Sequence, residues 1–137
     1  MDYEKIRAFR NANNPYAQRQ GVLVEEIGPG YARVVKTVEA EDVNPLGVPH
    51  GGVYFTLADT ACGSAAASYG TMAVTVDVSY HYLRSAKVGD TLTAEARTVK
   101  AGKSLCVLDV RITGAEGVLL GTGTFTFYRL DQKLPDL

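Results

Sequence analysis

Residues 50–70 read HGGVYFTLADTACGSAAASYG, and the fold turns on how this stretch is read. From Val53 to Ser68 every residue is apolar, small or hydroxyl-bearing except one, Asp59. Alanine, the strongest helix former, recurs through the second half of the run, and Gly70 supplies a stop, so the segment predicts a helix over 53–68. A helix surfaced with Ala58, Ala61, Gly63, Ser64, Ala65, Ala66 and Ala67 can approach a sheet closely. A carboxylate buried without a partner is costly, so Asp59 either reaches a surface or is needed where it stands.

Outward from this helix the periodicity changes from helical to extended. Residues 21–27 and 31–39 are two strand-like runs joined by Gly28-Pro29-Gly30, strong turn chemistry, and predict a hairpin. In residues 75–82 the side chains Val76, Val78, Tyr80 and Tyr82 alternate with Thr75, Asp77, Ser79 and His81, a period of two that places the apolar set on one face. Further strands are expected at 91–99, 104–112 and 118–128, with most of these connections short enough for hairpins, and a short amphipathic helix at about 2–12. One helix between two strands and about four more predicts an α+β domain, an antiparallel sheet packed on a central helix. Gly121 and Gly123, alternate positions of the last strand, are expected to remove bulk where that strand faces the helix.

Composition agrees with one domain over 1–137, since 46% hydrophobic and 21% charged residues suit a globular chain with its own core. A net charge of −1 announces no nucleic-acid partner. Cys62 and Cys106 lie inside apolar patterns and read as reduced, packed thiols, which points to the cytoplasm. The first 18 residues lack the apolar core of a signal peptide, and the longest apolar run carries Asp59, glycines and hydroxyls, which argues against a membrane span. His50 and His81 have no Cys or acidic cluster at ligand spacing, so no metal site is expected.

The chemistry gathers at the helix start. His50-Gly51-Gly52 precedes the predicted helix, whose first turn presents unpaired backbone N–H groups at the positive end of the macrodipole. Such an N–H is a ready donor to a carbonyl oxygen that becomes negative under nucleophilic attack. Asp59 lies eight residues beyond Gly51, about 12 Å along a continuous helix. One carbonyl cannot touch both groups of one chain, so joint action requires a second copy, most simply a two-fold dimer with two equivalent sites.

At these residues the sequence resembles the PaaI-like hotdog-fold acyl-CoA thioesterases. The likeness rests on NPLGVPHGG (44–52), LADTA (57–61), VTVDVSYHYLR (74–84), GDTLTAEA (89–96), GK (102–103) and GTGTF (121–125), and covers about residues 20–128. It implies a sheet wrapped around one long helix, dimerised edge to edge and often assembled into tetramers. It implies Asp59 as nucleophile or general base and Gly51 as the backbone oxyanion donor. His50 and Asn44 match residues that orient the helix start and contact the thioester, and Thr75 matches a residue that helps hold the water. Arg84, Lys87 and Lys103 stand where the family contacts the nucleotide and phosphates of coenzyme A. Coenzyme A is part of the substrate, and no separate cofactor is implied. Ser85 departs from the proline that many relatives carry there.

Structural readings stand beside several of these roles. Asn44 before Pro45 is turn chemistry, Thr75 fits a solvated sheet face, and Arg84, Lys87 and Lys103 fit ordinary surface charges. Two other functions stay open at this point. One is a hotdog enoyl-CoA hydratase or dehydratase, which also places an acid on the central helix but draws its His from elsewhere. The other is a non-catalytic acyl-CoA-binding module, which has no need of Asp59.

Overall fold

The computed structural model describes residues 1–135, so the last two residues of the expected 1–137 domain lie outside the described residues. Three helices, α1 (Tyr3–Ala12), α2 (Pro15–Arg19) and α3 (Gly51–Ala67), accompany six strands. The strands are β1 (Leu23–Gly28), β2 (Tyr31–Thr37), β3 (Thr71–Tyr82), β4 (Thr91–Ala101), β5 (Leu105–Thr113) and β6 (Leu119–Lys133). All neighbours are antiparallel, in the order β1-β2-β4-β5-β6-β3. The α+β architecture expected from the periodicity is therefore the one observed, with α3 packed along one face of the sheet.

α3 is continuous, as the distance argument requires, and begins two residues earlier than expected, at Gly51. His50 caps it: the backbone sits at φ −59°, ψ 143°, and the imidazole Nδ1 accepts the Gly52 N–H at 2.8 Å. Its sheet-facing side chains are fully covered, with Leu57, Ala58, Ala61, Cys62 and Ala65 at 0% exposure. Against them pack Ala32 and Val34 of β2, Leu92, Ala94 and Ala96 of β4, and Leu108, Val110 and Ile112 of β5. Small residues on both sides bring helix and sheet together; truncating Leu57 to Ala is expected to cost about 2–5 kcal/mol.

The β1–β2 turn shows why glycine is required once. Gly30 has φ +61°, and a Cβ there would stand 2.7 Å from the Tyr69 hydroxyl. Its N–H donates to Ser68 Oγ at 2.9 Å, and Ser68 Oγ donates to the Ala65 carbonyl at 2.6 Å, tying the hairpin to the C-terminal end of α3.

β3 departs from the hairpin expectation. It lies at the sheet edge beside β6, and the connection 83–90 returns the chain from this edge to β4 in the middle of the sheet. On its way it crosses the start of α3, where the Ala86 N–H donates to the Tyr54 hydroxyl at 3.0 Å. With a partner on one side alone, β3 leaves Val74, Val76 and Tyr82 about half exposed. β6 also runs further than expected, and the glycines of β6 serve a different neighbour. A Cβ on Gly121 would meet the Tyr80 hydroxyl at 2.0 Å, and one on Gly123 would meet Tyr80 Cδ1 at 2.8 Å. The room they leave is taken by the Tyr80 ring, not by the helix.

Candidate active site

The residues of α3 that escape burial are Gly51, Gly52, Phe55, Thr56 and Asp59, and everything from Thr60 to Ala67 is covered. Positions 51, 55 and 59 are one helical turn apart, so they form a single open stripe that ends at the carboxylate. The stripe faces the β6 side of the sheet, next to the edge strand β3, and the Phe55 ring packs at 5.6 Å on Phe125 of β6. Asp59 is thus half-buried at the end of this stripe, neither a solvated surface residue nor a core one.

A β-bulge brings Thr75 to it. The register of β3 on β6 shifts between Thr75, opposite Phe127, and Asp77, opposite Thr126. Thr75 therefore shares the inner face of Phe127, while beyond the bulge the inner face is taken by Val78, opposite Phe125. The simple alternation that grouped Thr75 with Asp77, Ser79 and His81 is broken at Val76. The Thr75 hydroxyl donates to Asp59 Oδ1 at 2.7 Å. Burial pushes the Asp59 carboxyl above the ordinary carboxylate range, while the Thr75 hydrogen bond and the positive charge of Arg10 pull it back.

The other end of the stripe is a backbone site. Of the first N–H groups of α3, that of Gly52 is taken by His50 Nδ1 and that of Val53 by the His50 carbonyl at 2.9 Å. Among the described residues the Gly51 N–H is left without a protein acceptor. His50 thus contributes by occupying the competing donor, with its own Nδ1 unprotonated. The Tyr82 hydroxyl donates to the Gly51 carbonyl at 3.0 Å, and the Tyr82 ring meets Tyr54 and Tyr80 edge to face at 5.8 and 4.7 Å. Gly51, Tyr54, Tyr82 and Arg84 line a shared open cavity of about 370 Å³.

The remaining expected residues divide between these ends. Asn44 Oδ1 accepts the N–H groups of Leu46 at 2.9 Å and Val48 at 3.4 Å, so its oxygen closes the loop that leads to His50. Arg84 stands at the Gly51 cavity, whereas the Lys87 backbone N–H donates to Asp90 Oδ2 in the exposed β3–β4 connection. Lys103 lies in the β4–β5 turn with Ser104, Tyr128 and Arg129, in a different cavity. One chain therefore does not bring the three basic residues together.

A family model described as "Thioesterase superfamily" matches residues 46–120, which include both ends of the stripe. The chain belongs to the thioesterase superfamily. Among its relatives in that superfamily, the acyl-coenzyme A thioesterase PaaI of Escherichia coli is 36% identical, over 80% of this chain and 82% of that protein. The solved structure of the Escherichia coli PaaI protein superposes with a TM-score of 0.91 at 30% identity, covering 95% of this chain and 94% of that one. A hypothetical thioesterase protein of Streptococcus pneumoniae, solved with coenzyme A, superposes with a TM-score of 0.84 at 31% identity over 93% of this chain and 98% of that one. The PaaI-like kinship and the hotdog architecture expected from the motifs are both borne out.

No metal-binding cluster occurs among the described residues, and no described helix is long and apolar enough to cross a membrane. Two parts of the site were missed from the sequence, Arg10 of α1 and the bulge at Val76, and neither carries a local signal.

Proposed function

We propose that this protein hydrolyses the thioester of an acyl-coenzyme A, an aryl-acyl or medium-chain acyl derivative, releasing the free acid and coenzyme A. The reading is carried by one observation: a half-buried carboxylate, Asp59, held by the Thr75 hydroxyl at 2.7 Å in a chain of the thioesterase superfamily. The names of the relatives supply the acyl-coenzyme A class, and the relative solved with coenzyme A supports the same substrate.

Hydrolysis breaks the C–S bond and forms a C–O bond. Asp59 either takes a proton from the attacking water or attacks the carbonyl itself, forming an anhydride that water opens. Thr75 orients the carboxylate and helps hold the water. The negative charge that grows on the thioester oxygen is met by the Gly51 N–H at the positive end of α3. Asn44 and His50 shape this end and border the thioester, and Arg84, Lys87 and Lys103 bind the nucleotide and phosphates of coenzyme A.

Eight residues of continuous helix separate Gly51 from Asp59, about 12 Å along the axis, so the two act on one thioester only across a dimer. The half-exposed Val74, Val76 and Tyr82 along the free edge of β3 support such pairing, since an exposed apolar edge strand invites a second strand. Edge pairing of two β3 strands gives a homodimer, and further assembly gives a homotetramer. The test is free-thiol release over a panel of acyl-coenzyme A thioesters by the wild type and Asp59→Ala. Thiol release lost in the folded variant supports the reading. Thiol release near the wild-type rate would remove Asp59 from the mechanism.

A further inference from the structure

α1 sends one long side chain onto the buried face of α3. Arg10, in its last turn, extends over α3, where its Nε donates to the buried Ser64 Oγ at 2.8 Å. Its Nη2 occupies the space a side chain on residue 63 would need: a Cβ built on Gly63 would meet Nη2 at 3.1 Å and Phe127 Cε2 at 3.3 Å. Gly63 is one turn beyond Asp59 on the same face, and Phe127 is the register partner of Thr75, which holds Asp59. Arg10, Gly63, Phe127, Thr75 and Asp59 therefore lie in one neighbourhood, in which the Thr75 hydroxyl bonds the carboxylate and the guanidinium, fixed on Ser64, acts on it through charge rather than direct contact.

We propose that Arg10 is a positioning residue for Asp59, a fixed positive charge from α1, anchored on Ser64 beside Gly63, that keeps the half-buried carboxylate ionised. The inference rests on the assignment of Asp59 as the reacting carboxylate, and it adds a residue outside the segment 46–120 matched by the family model. A guanidinium suits the task because it stays protonated in poorly solvated surroundings, where an ammonium would lose its proton more readily. Burial lowers the Arg10 guanidinium and the Asp59 charge opposes that, the reciprocal of the pull that Arg10 exerts on Asp59.

Little else nearby carries charge. β3 contributes the neutral Thr75, and further along it Tyr80, whose phenol burial pushes well above its ordinary value. On α3 itself, Cys62 is a thiol that burial and Asp59 keep protonated. Lys36 of β2 is paired with Asp42 at 3.0 Å, β5 carries the buried Cys106 thiol and the Asp109 carboxylate, which accepts from the Thr124 hydroxyl at 2.9 Å and whose charge reaches Cys62, and Arg129 of β6 is bonded to the Gly102 carbonyl at 3.0 Å. The buried side chains of β1 and β4 are apolar.

The test is a 13C titration of the Asp59 carboxyl in the wild type, Arg10→Met, Arg10→Lys and Ser64→Ala, followed beside the pH profile of kcat/KM. Loss of the charge in Arg10→Met is expected to move the Asp59 midpoint and the acid limb upward together by about half a pH unit or more. Arg10→Lys should keep most of the wild-type midpoint. Ser64→Ala, which leaves Arg10 in place without its anchor, should shift the midpoint in the same direction by less. It also answers the question if Arg10→Met fails to fold. A midpoint unchanged in the folded Arg10→Met, or in Ser64→Ala when Arg10→Met does not fold, overturns the proposal. Retained thiol release in Asp59→Asn would instead refute the role of Asp59 and leave the titration result standing.

Discussion

On the proposed reading, the two ends of the open stripe on α3 would do different chemistry by different means. At Gly51 the reactive group belongs to the backbone: an N–H aligned by the helix, exposed at a cavity, and left free because His50 takes its neighbours. At Asp59 it is a side chain whose basicity is set by burial and then trimmed by a hydroxyl and a guanidinium. The first end needs geometry alone, so any residue that keeps the backbone donor suffices. The second needs a particular side chain and a supporting shell drawn from α1 and β3. One helix would thus present an electrophile-stabilising end and a basic middle that no single thioester can span.

Substitutions at the two ends should therefore differ in kind. Asp59→Ala is expected to lose about 10²–10⁴-fold in thiol release, the range of a lost general base, with the protein still folded by circular dichroism. Asp59→Asn makes the same test with little change in volume, and it removes a charge whose burial is unfavourable. Because the folded carboxyl titrates above its unfolded value, the ionised form costs stability at neutral pH. That cost disappears as pH falls below the unfolded value. Asp59→Asn should consequently melt at or above the wild-type temperature at pH 7, with the gain absent at low pH.

Gly51→Pro attacks the other end. Proline is well tolerated at the first helical position, and His50 already holds the extended conformation that precedes a proline. The fold should persist while the donor N–H is gone, and kcat should fall by about 10²–10³-fold, as for removal of one oxyanion donor. Gly51→Ala, which keeps the N–H and meets Tyr82 Oη at an ordinary 3.4 Å, should retain far more activity. Equal loss in both variants would mean that shape at this end matters more than the donor.

Thr75→Ala tests the shell around Asp59 and should lower kcat/KM by about tenfold. Since the Thr75 hydrogen bond pulls the Asp59 carboxyl down, its loss should also move the acid limb to higher pH. An unchanged limb would detach Thr75 from the carboxylate. Least change in rate is expected from Gly121→Ala, whose Cβ collides with the Tyr80 hydroxyl, so thermal stability should drop with a mild effect on turnover.

Much of this comparison was legible in the sequence. The single charge among small residues marks α3 and its open stripe, and the Gly28-Pro29-Gly30 turn marks the first hairpin. His50-Gly51-Gly52 marks the helix start as a donor site. What stayed hidden depends on partners remote in the chain. The bulge that turns Thr75 inward arises from pairing with β6, about which the alternation in β3 says nothing. The edge position of β3 follows from a connection that skips two strands. Gly121 and Gly123 look like room for a helix until the Tyr80 ring is found filling it. Arg10 meets Ser64 across 54 residues of sequence, in a segment whose pattern reads as an ordinary amphipathic helix.

The claim that one helix serves two active sites is tested by mixing subunits. Asp59→Ala and Gly51→Pro proteins, each inactive alone, are unfolded, mixed in equal amounts and refolded together. If each site joins Asp59 of one chain to Gly51 of the other, half of the dimers are mixed, and each holds one intact site. The mixture should then recover about one quarter of the wild-type thiol release. A mixture as inactive as its parents, with mixed dimers present by mass spectrometry, would contradict the account.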